Sequence, residues 1–416
     1  MSGTSIREPS EIGERLRMIR RRRGLSLETA ARLAGISKSY LSMLERGERG
    51  FERRGLLEDL ANAVGCSVVD LTGQPYIPSD RKSADALATL PGISVALYDN
   101  TLDDVIDTAV RPVDQLVRWA RQANEHSANG QYSLAGRELG DLLTELHVHV
   151  VTSSADERRL ALAALVEACI VAYGNARTLG NPDLAVHAAR RAYDAACRLE
   201  DPALMGFAAM CRTVALGRLG ARHRAQTVVA EALHQIDPVA DPAAEDTATA
   251  EACGMLHLSA AQMAAKAQDA DMADTHLGLA RKLGNRTGER NHLWFEFGPA
   301  NVQAWELSIA VELGRGPAVA ERVERTPGYD QGLTTPERQA ALHFDLARAY
   351  SQAEGGRDVD SLRHLDLADR IAPQRIRHDP LAHELLFTLD LRSRRRSWEI
   401  GSLKHRLAVG SHIVNN

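Results

Sequence analysis

Charged and aromatic residues fit for binding concentrate in two places along this chain. Between Arg15 and Arg54 it carries 12 Lys/Arg and 4 Asp/Glu, a local balance of +8 in a protein of net charge −5. The rest must carry −13, so one compact segment is marked for binding a polyanion. The second place is ERNHLWFEFGPANVQAWELSIAVELG, residues 289–314. Aromatics make up only 4% of the chain, yet Trp294, Phe295, Phe297 and Trp305 cluster here. Gly298-Pro299 reads as a helix start, after which Asn301, Trp305, Ser308 and Glu312 share one face by i, i+4, i+7, i+11 spacing. An amide, an indole, a hydroxyl and a carboxylate on one stripe could line a ligand pocket together with Trp294 and Phe297. Asn301 would pair with a ligand amide, and Trp305 would supply contact area. Core filling at a helix junction is the other reading of Trp294, Phe295 and Phe297.

Elsewhere the expected signatures of catalysis are missing. There is no GxxxxGK[ST] loop, no GxGxxG and no HExxH, and no Cys/His or Ser/His/Asp set stands in a motif context, so no enzyme, cofactor or metal is expected. His147 and His149 would make a metal pair on a strand, but on a helix their side chains diverge by about 200°. The five cysteines (Cys66, Cys169, Cys197, Cys211, Cys253) show no CxxC spacing and read as reduced core thiols. The N-terminus is polar, with no apolar signal region. The longest apolar run, Leu160 to Tyr173, is broken by Glu167 and short for a bilayer, so a cytoplasmic protein with no membrane contact is expected.

Five short helices must position the basic segment. Ile12, Leu16 and Ile19 form a stripe on a first helix near Glu11–Arg23, which Gly24 ends. Ser26 is a good N-cap for a second helix, Leu27–Ala34, and Ser37 for a third, Lys38–Arg46. Gly35 falls where a tight turn needs positive φ. A fourth helix covers Leu56–Val64, and a fifth begins after Ser67. Ala30, Ala31, Ala34, Ile36, Leu41 and Leu44 occupy inward positions, so small residues let two helices cross steeply and leave the second free to enter a major groove.

GLSLETAARLAGISKSYLSMLERGER, with the closing LANAVGCSVVDLTG, resembles the phage-repressor (XRE) helix-turn-helix family over roughly Ile12–Gly73. The resemblance implies a recognition helix at Lys38–Arg46, with Lys38, Ser39, Ser42 and Met43 facing base edges and Tyr40 near the backbone or a thymine methyl. Ser26, Ser37 and free N–H groups at helix starts would hold phosphate. Arg46, Arg49, Arg53 and Arg54 would touch backbone or minor groove. Leu27 stands where many relatives have a phosphate-binding glutamine, and the loop Gly47–Gly55 is longer than in the phage repressors. The run Arg20–Arg23 reads equally as a solvated face or as DNA contact.

Beyond residue 73 the chain reads as a linker, residues 74–100, with Pro75, Pro78 and Pro91 and room for a short helix near Arg81–Leu90, and then a helical body, residues 101–400, starting near the Thr101/Asp104 capping pair. Seven pairs punctuate the body as helix starts: Asn181-Pro182, Asp201-Pro202, Asp241-Pro242, Gly298-Pro299, Gly316-Pro317, Thr335-Pro336 and Asp379-Pro380. Small or apolar residues recur seven apart after turns, as in Ala185/Ala192 and Ala273/Ala280. ALHFDLARAYSQAEGG…LDLADRIAP resembles a degenerate tetratricopeptide repeat, with Leu346, Ala347, Tyr350, Ala368 and Pro373 in the expected roles. The order of elements is similar to actinobacterial XRE regulators and, more distantly, to the peptide-sensing RRNPP regulators. The expected fold is all-α: a five-helix lambda-repressor-like DNA-binding domain, residues 1–73, plus a tetratricopeptide-like α-solenoid, with a C-terminal tail, residues 401–416. The basic stretch Arg392–Arg406 reads as a solvated terminal helix. The expected function is transcription regulation as a homodimer on operator DNA, with a peptide or small-molecule effector; the alternative is a DNA-localised scaffold whose repeats bind a partner protein.

Overall fold

The computed structural model describes residues 10–78, 80–393 and 397–408. The start of the first domain, three arginines of the basic tail (394–396) and the last eight residues of the expected C-terminal tail lie outside the described residues. No strand occurs among those described, and the fold is all-α.

The N-terminal unit is α1 (Glu11–Arg22), α2 (Leu27–Leu33), α3 (Lys38–Glu45), α4 (Arg54–Val64) and α5 (Val68–Thr72). Ser10, Ser26, Ser37 and Ser67 cap α1, α2, α3 and α5 through side-chain oxygens that accept early backbone N–H groups. Ile12, Leu16, Ala30, Leu41, Leu44, Leu57, Leu60 and Leu71 are buried between these helices.

The short helix expected near Arg81–Leu90 is α6 (Arg81–Ala88), but the rest of the expected linker holds a second helix, α7 (Leu90–Asp99). Asp80 caps α6, and Pro91 lies in the first turn of α7, where its missing N–H is no loss. A proline that reads as linker punctuation is a helix-start residue. Ala86, Leu90, Ile93, Ala96 and Leu97 join the core of the body. Thr101, expected at the start of a helix, makes a turn instead, its hydroxyl accepting from the N–H groups of Asp103 and Asp104.

The body continues through α8 (Val113–Ala128), α9 (Tyr132–Ala135), α10 (Leu139–Thr152), α11 (Ala155–Thr178), α12 (Pro182–Leu199), α13 (Pro202–Leu219), α14 (Arg222–Ile236), α15 (Ala248–Lys266), α16 (Ala270–Thr287), α17 (Pro299–Glu312), α18 (Gly316–Arg325), α19 (Pro336–Ser351) and α20 (Asp358–Ile371). It ends with α21 (Pro373–Arg377), α22 (Pro380–Arg392) and α23 (Trp398–Leu407). Six of the seven expected Pro-marked helix starts are observed; Asp241-Pro242 lies in a turn ahead of α15.

Helices pair in order, α11 with α12, α13 with α14, α15 with α16, α17 with α18 and α19 with α20, and α11, α13, α15, α17 and α19 also pack each on the next. These five form an inner layer. Of these, α11, α13 and α15 are apolar over most of their circumference, as a helix covered on every side must be, whereas α12, α14 and α16 carry an apolar stripe and a polar outer face. Helix α11 is long and apolar enough to cross a membrane by length and composition, yet 72% of that stretch is buried inside the fold.

The C-terminal helices do not trail off. Phe344, Leu365, Ile376, Leu381, Leu385, Leu389, Ile400 and Leu403 form one apolar cluster with the N-terminal unit, including Phe51, Leu56, Leu57 and Leu60. The expected C-terminal tail is therefore partly core, because α23 folds back onto this cluster.

Candidate nucleic-acid interface and ligand cavity

Helices α2 and α3 are joined by a turn that Gly35 makes at φ +67°, a left-handed conformation that a side chain would strain. Gly13 lets α1 approach the end of α3; a Cβ there would lie 2.5 Å from the Leu44 carbonyl oxygen. A buried ion pair fixes the rest. Arg20 of α1 donates from Nε (2.5 Å) and Nη2 (2.7 Å) to Glu45 of α3, and from Nη1 to the Leu25 carbonyl (2.8 Å). Both residues are buried, so the desolvation of two charges is offset by bidentate geometry. Arg20 is thus an internal clamp between α1 and α3, and not a solvated side chain.

That clamp leaves one face of α3 open. Ser37, Lys38 and Ser39 are exposed, and Ser42 and Met43 half-exposed. Lys38 has Glu28 of α2 at 3.9 Å, with both side chains largely in solvent. Arg46 is exposed, held by Glu48 and by the Ser42 hydroxyl. Tyr40 turns partly inward, and burial, with Glu52 nearby, pushes its phenol pKa up. Ser26 and Ser37 each spend their hydroxyl on a helix N-terminus, leaving neighbouring N–H groups of the first turns open.

The comparison with known families agrees with this geometry: residues 11–72 match the family of helix-turn-helix domains. These residues are a helix-turn-helix domain. No curated protein and no solved structure matches the chain.

The back of the helix-turn-helix domain is fastened to the body, and three of the arginines expected on DNA are spent there. Arg49 pairs with Glu354 in the turn after α19 (2.9 Å). Arg53 reaches the Glu312 carbonyl (3.5 Å), and Arg54 pairs with Asp379 at the start of α22 (2.5 Å). The longer loop explains the difference. It carries Phe51, 1% exposed, into the shared core and turns the neighbouring arginines toward the body. Burying such a ring contributes about 1.5–3 kcal/mol, more than an exposed ion pair would.

Glu312 is the centre of this junction. Its side chain is 0% exposed. One oxygen accepts from the Arg54 N–H (3.1 Å) and Arg348 (2.8 Å), the other from the Gly55 N–H (3.1 Å). Helix α4 has no side-chain cap from its own segment, so a carboxylate of α17 caps it from the other domain. Burial favours the neutral acid, but Arg348 and Lys266 outweigh it and hold the carboxyl below its ordinary pKa. Around it, Glu58 of α4 binds Lys266 (2.5 Å) and Arg222 (3.3 Å), and Arg222 also binds Asp59.

Beside the junction, on the inner layer, lies a cavity of about 240 Å³. Its wall is drawn from α8, α11, α13, α15, α17, α19 and the loop before α17, and Arg54 of α4 reaches it as well. Trp294, Trp305 and Ser308 line it, as the sequence pattern leads one to expect of a pocket. Phe297, Asn301 and Glu312 do not. Phe297 is a fully buried core ring packed on Gly254, where a Cβ would fall 2.0 Å from the ring. Asn301 donates to the Phe295 carbonyl (3.0 Å) and accepts from Arg338 (2.5 Å). The stripe on α17 is real, but its two ends hold structure while its middle faces the cavity.

The rest of the wall gave no sign in the sequence, notably Arg177, Arg218, Arg338 and Arg375 and the hydroxyls of Tyr132, Thr213 and Ser259. Arg177 and Arg218 end long apolar helices, where a cation reads as an ordinary complement to the helix dipole. The two histidines weighed as a metal pair are both occupied, His147 by the Leu143 carbonyl and Arg191, His149 by Ser153 and the Arg111 carbonyl. A group that no sequence motif marks is Asp237, Cys253 and His257, with ligand atoms within 4.8 Å of one another. Burial pushes the Cys253 thiol up to about 12, which keeps it protonated beside Asp237.

Proposed function

We propose that this protein is a sequence-specific DNA-binding transcriptional regulator of the XRE type, with a tetratricopeptide-like body that binds a small effector and reports it to the helix-turn-helix domain. The observation that carries this reading is a division of faces. The helix-turn-helix domain presents Lys38, Ser39, Ser42 and Met43 outward and is held by its back, through Glu312 and Arg54, beside the cavity. In this reading Ser26, Ser37 and Arg46 position the domain on phosphates, whereas Arg49, Arg53 and Arg54 set its angle on the body. A single recognition helix reads only a few base pairs, so a homodimer spanning two half-sites supplies the rest. The cavity favours a small molecule over a partner protein, because the helix-turn-helix domain itself already covers the C-terminal end of the repeats. No catalytic step belongs to the reading.

The test is selection of binding sites from random duplex DNA by the full-length chain, repeated with Lys38→Ala. Enrichment of a common, two-fold related sequence that the variant loses supports the regulator. Absence of any enriched sequence would sink it, as would equal enrichment by the variant.

A further inference from the structure

The charges in the cavity wall do not balance. Arg54 has Asp379 and Lys266 has Glu58, each at 2.5 Å, and Asp345 serves Arg348. Arg177 and Arg375, however, share the one carboxylate of Glu337. Arg338 bonds the neutral amide of Asn301 and lies over the Trp305 ring at 5.9 Å. Arg218 makes no ion pair and no hydrogen bond among the described residues, and Asp379, already paired with Arg54, is the carboxylate whose charge reaches it. Burial, then the nearby Arg54 and Arg177, press its pKa down to about 9. Glu337 reports the same excess: burial would raise its pKa, yet Arg375, Arg177, Arg338 and Arg218 together hold it below the ordinary range.

Cations left inside a fold without counter-charge are costly, and a natural wall carrying several of them has a use for an anion. A second, independent observation points the same way. The hydroxyls of Thr213 (0% exposed) and Ser259 (2%) line this cavity and have no hydrogen-bond partner among the described residues. The indole N–H of Trp305 is likewise unpartnered. Buried polar groups are nearly always satisfied, so a set of orphans around one cavity describes the polar edge of something that fits there. The remaining wall is soft and apolar, with Phe295, Met210, Met255 and Met263 beside Trp294 and Trp305.

We propose that the cavity takes a small ligand bearing an anionic group on an aromatic or otherwise apolar body, and that the anion, seated among Arg218, Arg177 and Arg54, locks the helix-turn-helix domain onto the repeats. This rests on the effector-binding reading above and names its ligand class. Arg54 is the link: it belongs to α4, lies in the cavity wall, and although Asp379 pairs with it, its charge and that of Arg218 repel each other. An anion turns that repulsion into a shared attraction, so it must favour the docked arrangement by as much as docking favours the anion.

The probe is 8-anilinonaphthalene-1-sulfonate, an aryl sulfonate, compared with its neutral counterpart N-phenyl-1-naphthylamine on the full-length chain. Binding is followed by quenching of Trp294 and Trp305, and by hydrogen exchange at the amides of residues 49–57. The expected result is one saturable site, with the sulfonate bound at least about tenfold more tightly than the neutral dye, a difference of about 1.4 kcal/mol. Arg218→Met should remove that preference and leave the neutral dye unchanged, Arg218→Lys should restore most of it, and the sulfonate should slow exchange at 49–57. Equal binding of the two dyes, indifference of the sulfonate to Arg218→Met, or no saturable binding of either dye would overturn the ligand class. Sulfonate binding with unchanged exchange at 49–57 would overturn the lock. None of these results touches the DNA selection that Lys38→Ala abolishes, so the regulator reading is judged separately.

Discussion

Lys38 stands 62% exposed at the first turn of α3, with Glu28 too far and too solvated to hold it. Lys38→Ala should weaken binding to a selected operator by about tenfold, the usual effect of deleting a side chain that bonds a base or a phosphate, measured by titration at fixed salt. Arg49 is the contrasting case. If Arg49 bound a phosphate, Arg49→Ala would flatten the salt dependence by about 0.9 in the log–log slope. Because Arg49 is engaged with Glu354, the expected slope is that of the unaltered protein. Gly254 shows how little room the core leaves. Gly254→Ala would put a methyl group into the Phe297 ring and should cost about 1–3 kcal/mol or more in chemical denaturation.

At the scale of elements, α17 and α4 act as one piece because Glu312 spans them. Glu312→Gln removes the charge that Arg348 and the α4 N-terminus share, leaving a buried guanidinium with Asp345 alone. The expected loss is about 3–5 kcal/mol in global stability. Faster exchange should appear first at the Arg54 and Gly55 amides; uniform loosening of the whole chain would mean that Glu312 is not a local tether. Helix α22 contributes a pH-dependent contact to the same junction. Glu384 accepts from the Phe51 N–H (3.4 Å), and burial raises its carboxyl pKa to about 7. The folded state then binds a proton that the unfolded state releases, so this group's stabilisation is present below its unfolded pKa and is lost as pH rises toward 7. Glu384→Gln mimics the protonated form. Its stability relative to the unaltered protein should therefore increase from pH 4.5 to pH 7.5 by up to about 3 kcal/mol. A flat difference across that range would show that Glu384 titrates normally.

Across the whole molecule, the helix-turn-helix domain is not a bead on a string. Its apolar core is continuous with α19, α20, α22 and α23, and its α4 is capped from the body. Scanning calorimetry of the full chain should give one transition covering both parts, with a calorimetric enthalpy matching the van't Hoff value for that unit. A separate early transition for the first 73 residues would mean that the shared core does not couple them. The same continuity gives the open face of α3 a fixed direction relative to the cavity.

The five N-terminal helices were legible because their signals are local: serine caps, the Gly35 turn and a stripe such as Ile12, Leu16, Ile19 need no distant partner. The all-α body was legible for the same reason, through prolines such as Pro182 and Pro336 in first turns. Pro91 misled because the same residue opens a helix or breaks a linker, and only the burial of Ile93 and Leu97 by distant helices decides between them. Glu312 and Asn301 share a stripe of α17 with Trp305 and Ser308 but not its cavity, because helical spacing sets a direction and not a neighbour. The neighbours are Arg54 and Arg348 for the one and Arg338 for the other, and they arrive by tertiary packing. Local signals alone mark the five N-terminal helices and most helix starts of the body, and residues 11–72 as a helix-turn-helix domain. Only packing sets Arg49, Arg53 and Arg54 against the body and brings arginines from separate helices around one cavity, because charge pairing depends on distances that no local pattern encodes.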